Sequence, residues 1–149
     1  MAERKYEKYI VDRLILSEEE KERYAEYSKR ATRILLFGDD KVKGSPHIMI
    51  SWYWKVMEGT PQHSHGYDEV LGFIGGDYQN SDDLGGEVEL WLEDEKYVLN
   101  KSCFVYCPAG LKHCPLNVTR VDKPFIFMAI SITNEYVKDN IDREAFRGK

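Results

Sequence analysis

The sequence predicts an all-β fold, a sandwich or barrel, with one short helix near its N-terminus. Three observations carry that reading. About eight β-prone runs recur along the chain, separated by clusters of Gly, Pro, Asn and Asp. One run, Glu87-Val-Glu-Leu-Trp-Leu-Glu93, alternates polar and apolar residues and puts Val88, Leu90 and Leu92 on one face. The 149 residues include ten Tyr, six Phe and three Trp, residue types that favour strands.

The elements follow in order. Residues 1–31 read as an arm and a helix. The arm is charged, with apolar points at Ile10-Val11 and Leu14-Ile15-Leu16. Ser17-Glu-Glu-Glu20 has the form of a capping box, so a helix is expected over about 18–30. Its apolar face is thin, built on Tyr24, Ala25 and Tyr27, as suits a helix covering one end of a barrel. Thr32–Phe37 is a short strand, with turns at Gly38 and at Gly44-Ser-Pro46. Ile48–Met57 is a long β-prone run with Ile48, Ile50, Trp52, Trp54 and Val56 on one side, broken at Gly59-Thr-Pro61. Val70–Ile74 ends at Gly75-Gly76, and Asp77–Gly86 is a polar loop. Strands are expected at Glu87–Glu93, Lys96–Leu99, Cys103–Cys107, His113–Thr119 and Phe125–Ile132. The strands make a barrel over 32–133, and the tail 134–149 is charged, with a short helix expected in it. Nothing marks a domain boundary, so 1–149 reads as one domain.

Composition narrows the function. Apolar residues are 42% and charged residues 32%, the balance of a folded, soluble chain. A net charge of −5 argues against a nucleic-acid footprint. No apolar run is long enough for a membrane span, and the N-terminus lacks a signal-peptide core. Three cysteines, an odd number, fit reduced thiols in a cytoplasmic protein.

The chemistry gathers in Pro61-Gln-His-Ser-His-Gly-Tyr-Asp-Glu69. On an extended segment side chains alternate, so His63 and His65 point the same way. Glu69 follows after a Gly turn. Two imidazoles and a carboxylate make three ligands for one divalent metal. His113 opens a late strand within Pro108-Ala-Gly-Leu-Lys-His-Cys-Pro-Leu-Asn117, and a closed barrel can set that strand beside the first three ligands.

Those residues resemble a known family. His63, His65, Glu69 and Gly76 match the first motif of the cupins, and Pro108, Gly110, His113 and Asn117 match the second. The resemblance covers about 37 to 133. It implies a small antiparallel jelly-roll β-barrel in which His63, His65, Glu69 and His113 bind one metal. Two positions depart from the pattern. The glycine opening the first motif falls at Met57, with Gly59 nearest, and the one opening the second is Ser102. Both affect turns and neither removes a ligand.

Three imidazoles and a carboxylate suit Fe, Mn, Ni, Zn or Cu and leave positions open for water or substrate. Tyr67, in the ligand turn, and Tyr106, next to Cys107, are the candidates for moving a proton. His47 lies outside both motifs and reads first as an exposed or capping residue, with contact to substrate or to a ligand as the alternative. Asn117 is expected to hold turn backbone. Cys103, Cys107 and Cys114 read as small core residues.

The expected function is a metal-dependent enzyme acting on a small oxygenated organic molecule, of oxygenase, isomerase, decarboxylase or lyase type. A cupin that binds or senses a small molecule without turning it over is the alternative, and a purely structural barrel ranks third. The resemblance also implies a homodimer paired through sheet edges, with Tyr9-Ile-Val11 crossing to the partner.

Overall fold

The computed structural model, which describes residues 4–133, is built on antiparallel strands in two sheets. The helix expected in the tail lies outside the described residues. Before the strands come a short 3-10 turn, Glu7–Tyr9, and helix α1, Glu18–Tyr27. The capping box is present: the Ser17 hydroxyl accepts from the Glu20 N–H at 3.2 Å, and the Glu20 carboxylate accepts from the Ser17 N–H at 2.7 Å. The helix stops three residues short of the expected end. Ala31 already pairs with Tyr53, and that pairing draws the chain into the sheet.

The strands are β1 Ala31–Phe37, β2 His47–Tyr53, β3 Glu69–Gly75, β4 Asp83–Leu92, β5 Glu95–Lys101, β6 Cys103–Cys107, β7 His113–Val121 and β8 Phe125–Ser131. One sheet has the order β1-β2-β8-β3-β6, the other β5-β4-β7. The eight strands expected are therefore present, with boundaries that move for physical reasons. β2 ends at Tyr53, not Met57. Beyond Tyr53 the chain crosses to the second sheet, where Met57 exchanges both backbone hydrogen bonds with Val118 (3.0 and 2.9 Å). Trp54 and Val56, which continue the apolar side of β2 in the sequence, are exposed. β4 starts at Asp83, inside the segment read as a loop. Gly85, at φ 74°, lets the strand shift register there without breaking.

The core lies between the sheets. Phe73, Leu84, Val88 and Phe125 are fully buried. Tyr53 stacks on Phe127 at 5.0 Å and meets Phe125 edge-on, while Tyr27 of α1 packs against Tyr53 at 6.3 Å. The inward side of β2 carries His47, Met49, Ser51 and Tyr53, because Ser51 and Tyr53 are buried and alternate residues share a face. Ile48, Ile50 and Trp52 therefore face outward.

At one end the inner face becomes polar. His47 pairs with Ser131, Ser131 with Glu69, and Glu69 with Cys107. This row crosses four strands and forms the floor of the site.

Candidate metal centre

The segment carrying His63 and His65 is not a ladder strand, but it docks on β7. His63 and His113 exchange backbone hydrogen bonds at 3.0 and 2.9 Å. A directly opposed pair of this kind holds its side chains on one face. The two rings lie 4.5 Å apart, with His65 at 4.9 Å from His63 and 5.1 Å from His113. Ligand nitrogens of the three histidines lie within 4.8 Å of one another, all buried.

The backbone sets which nitrogen faces inward. His63 Nδ1 lies 2.8 Å from the Pro61 carbonyl oxygen, and His113 Nδ1 lies 3.0 Å from that of Leu111. A carbonyl can only accept, so each Nδ1 carries the hydrogen and each Nε2 presents a lone pair. His113 Nε2 is buried and has no hydrogen-bond partner.

Glu69 reaches the cluster from β3. Its Oε1 lies 3.3 Å from His113 Nε2 and its Oε2 lies 3.6 Å from His65 Nε2. The Ser131 hydroxyl donates to Oε2 at 3.0 Å. Burial pushes the Glu69 carboxyl upward, whereas positively charged His113 and His65 imidazoles beside it outweigh that and hold it well below the usual carboxylate range; neutral rings leave that positive charge to a bound cation. A lone pair and a carboxylate oxygen repel at this distance unless a cation lies between them. The donor set, three buried imidazoles and an ionised carboxylate, fits a divalent transition metal.

The two tyrosines have different places. Tyr67 stacks on the His65 ring, 4.8 Å between centres and 17° from parallel. Tyr106 corrects the expectation that it moves a proton at the cluster. It is 56% exposed, and its hydroxyl pairs with Asp68 on the outer surface. Its neighbour Cys107 takes the inward position, since adjacent residues point to opposite faces. Burial, then the nearby Glu69 charge, pushes the Cys107 thiol up to about 12. Cys107 and Cys114 are buried core residues and Cys103 packs beside them, as expected.

His47, read first as exposed or capping, is drawn inward by the structure. It is half-buried on the inner face, in register with Ser131, the residue that holds Glu69. Burial lowers its pKa, as do Lys41 and Arg33, while Asp40 and Glu69 oppose them. The signal was the inward phase of β2, legible only once Ser51 and Tyr53 are known to be buried.

The departures from the motif glycines are accommodated locally. The Ser102 hydroxyl accepts from the Gly75 N–H at 2.9 Å and donates to the Ser81 carbonyl at 2.6 Å, tying the end of β3 to the following loop. Asn117 holds turn backbone, as expected: its Oδ1 accepts from the Gly59 N–H at 3.1 Å. Asn117→Ala leaves that N–H without its partner and is expected to cost about 1–2 kcal/mol. Urea unfolding measures it, and an unchanged midpoint would show that the bond contributes nothing.

Fold and cluster together define a β-barrel that brings three histidines and a glutamate to one point inside it. The two segments that resemble the cupin motifs meet at this point, through the His63–His113 pairing. No family model matches the sequence, and no curated protein matches it. Solved structures do. KdgF from a Halomonas species is 15% identical, with 70% of this chain and 79% of that one covered and a TM-score of 0.45. An RmlC-like cupin from Shewanella frigidimarina is 17% identical, with 70% and 78% covered and a TM-score of 0.46. The DMSP lyase DddQ from Ruegeria pomeroyi is 18% identical over 76% of this chain, with a TM-score of 0.47. This chain spans about half of the DddQ chain, 52% of it.

Proposed function

We propose that this protein is an enzyme that uses one divalent transition metal, Fe, Mn, Ni or Zn, to act on a small oxygenated organic molecule. The observation that carries this reading is the convergence of His63, His65 and His113 within 4.8 Å, with the Glu69 carboxylate 3.3 Å from one of them. These four residues would hold the metal. When bound, such a metal supplies a Lewis acid with positions open to a substrate oxygen. The chain's own residues do the rest. Ser131 orients the Glu69 carboxylate. The Pro61 and Leu111 carbonyls fix the tautomers of His63 and His113. Tyr67, against His65, is placed to give or take a proton at the edge of the cluster. Metal analysis of protein purified anaerobically, without chelators or nickel affinity, tests the reading. About one equivalent of transition metal is expected, and a metal-free chain that takes none up on incubation would end it.

The three cysteines are free thiols, which supports a place in the cytoplasm. Among the described residues no helix is long and apolar enough to cross a membrane. The acidic balance supports a small-molecule partner over a nucleic acid.

We also propose a homodimer. β6 is an edge strand with Phe104 65% exposed, and the arm leaves Tyr9 and Ile10 in solvent at 57% and 68%. An apolar edge of this kind favours pairing with a second copy. Phe104→Asp, or a chain starting at Ser17, is expected to run as a monomer in size-exclusion chromatography. A dimer unchanged in both would refute the pairing.

A further inference from the structure

The inner face of β1 carries a positive charge that no carboxylate among the described residues pairs with. Arg33 pairs with Ser51, which is completely buried on the inner face of β2, so Arg33 also faces inward. Its guanidinium lies over the Tyr27 ring, 4.7 Å from the ring centre. Arg13, Arg23 and Arg120 each have a carboxylate within ion-pair distance. Arg33 has none among the described residues, and its Nε is buried with no hydrogen-bond partner. A buried donor without an acceptor costs free energy unless a ligand supplies one. Lys41, the other buried cation nearby, is already paired with Asp40 at 2.7 Å and Glu20 at 3.6 Å.

Arg33 also shares the inner face of its sheet with the metal centre. Ser51 and His47 are both inward on β2, about 13 Å apart along the strand. His47 is in register with Ser131, which is itself in register with Glu69, and it feels the charges of both Arg33 and Glu69 besides burial, Lys41 and Asp40. Arg33, His47 and the Glu69 cluster therefore follow one another along a single inner face. The free charge at its far end is one positive unit on a planar two-donor fork. That fork matches a carboxylate, which is planar and singly charged.

We propose that Arg33 binds the carboxylate of a small organic acid whose other end reaches the metal centre, so that Arg33 determines substrate specificity. The assignment rests on the metal reading above. The substrate is then an acid with a second oxygen group that can ligate a metal, held at both ends, with His47 beside its middle.

Calorimetry on Mn2+-loaded protein tests this, using the linear diacids malonate, succinate, glutarate and adipate and the half-amide of each. A half-amide keeps one carboxylate for the metal and loses the other. For the diacid length that binds most tightly, the wild-type chain is expected to prefer the diacid over its half-amide by about tenfold. Arg33→Gln should erase that preference while taking up Mn2+ as the wild type does. Arg33→Lys, which keeps the charge and loses the fork, should retain part of it and guards against a folding defect in Arg33→Gln. A preference that survives in Arg33→Gln overturns the assignment. So does a wild-type chain that binds half-amides as well as diacids, or one from which inorganic phosphate displaces the diacid more readily than acetate does. A wild-type chain that takes up no Mn2+ overturns the metal reading and this assignment with it, whereas normal uptake with indifference to Arg33 overturns this assignment alone.

Discussion

His113→Ala abolishes metal binding. His113 is 2% exposed, and its Nε2 faces the other ligands with no hydrogen-bond partner. Losing a residue that merely supports a ligand lowers metal affinity by 10–100-fold, so losing the ligand itself is expected to lower it by more than about a hundredfold. The readout is thermal unfolding with and without Zn2+. Metal at about a hundred times its dissociation constant stabilises a folded chain by about 2.7 kcal/mol. The wild-type chain should show a rise of that order, and His113→Ala should show none at the same concentration. The comparison is internal to each protein, so a difference in their metal-free stabilities does not affect it. If both proteins rise equally, the ion is bound elsewhere and the centre is wrongly assigned.

Gly59→Ala unfolds the chain or leaves it barely folded. A Cβ at Gly59 would lie 1.8 Å from the Leu116 carbonyl oxygen and 2.9 Å from its carbon. Both obstacles are backbone, so no side-chain rotation relieves the clash. The strain falls between two points that must stay closed. Met57 pairs with Val118 on one side and His63 with His113 on the other. Pushing this segment off β7 separates the metal ligands as well as the backbone ladder. The expected loss is above about 4 kcal/mol, at the extreme of single substitutions. Urea unfolding, with metal uptake measured in parallel, would show stability and affinity falling together. A loss below about 1 kcal/mol would mean that the close approach is not maintained in solution.

Gly59 also shows how much of the molecule was legible beforehand. Its place near the missing motif glycine at Met57 was visible in the sequence, and so was the break it makes after the long β-prone run. That a backbone oxygen fills the space its side chain would need was not visible, because Leu116 is remote in sequence. Ser102 is a similar case. The loss of a glycine could be read, but the two hydrogen bonds its hydroxyl makes depend on where residues 75 and 81 are brought.

Alternation along a strand separates two faces but does not say which is inside when both are apolar. On β2 the bulkier face, Ile48, Ile50 and Trp52, points outward, and the mixed face, His47, Met49, Ser51 and Tyr53, points in. His47 was ranked low for that reason, and the inward charge of Arg33 went unread. The same ambiguity set Tyr106 wrongly. Either Tyr106 or Cys107 had to face Glu69, and pairing across β3 and β6 gave that place to Cys107.

By itself the sequence determined the local facts: the helix cap at Ser17, the strand count, and four candidate metal ligands, three His and one Glu, at telling spacings. These depend on chemistry within a few neighbours, which a linear chain displays directly. Tertiary structure decided the rest: that the late His113 meets the early His63, that Tyr106 is outside, and that Arg33 lies on the inner face of β1. Those outcomes depend on sheet order and on the choice of buried face. Both are settled by packing between residues that the chain keeps far apart until it folds.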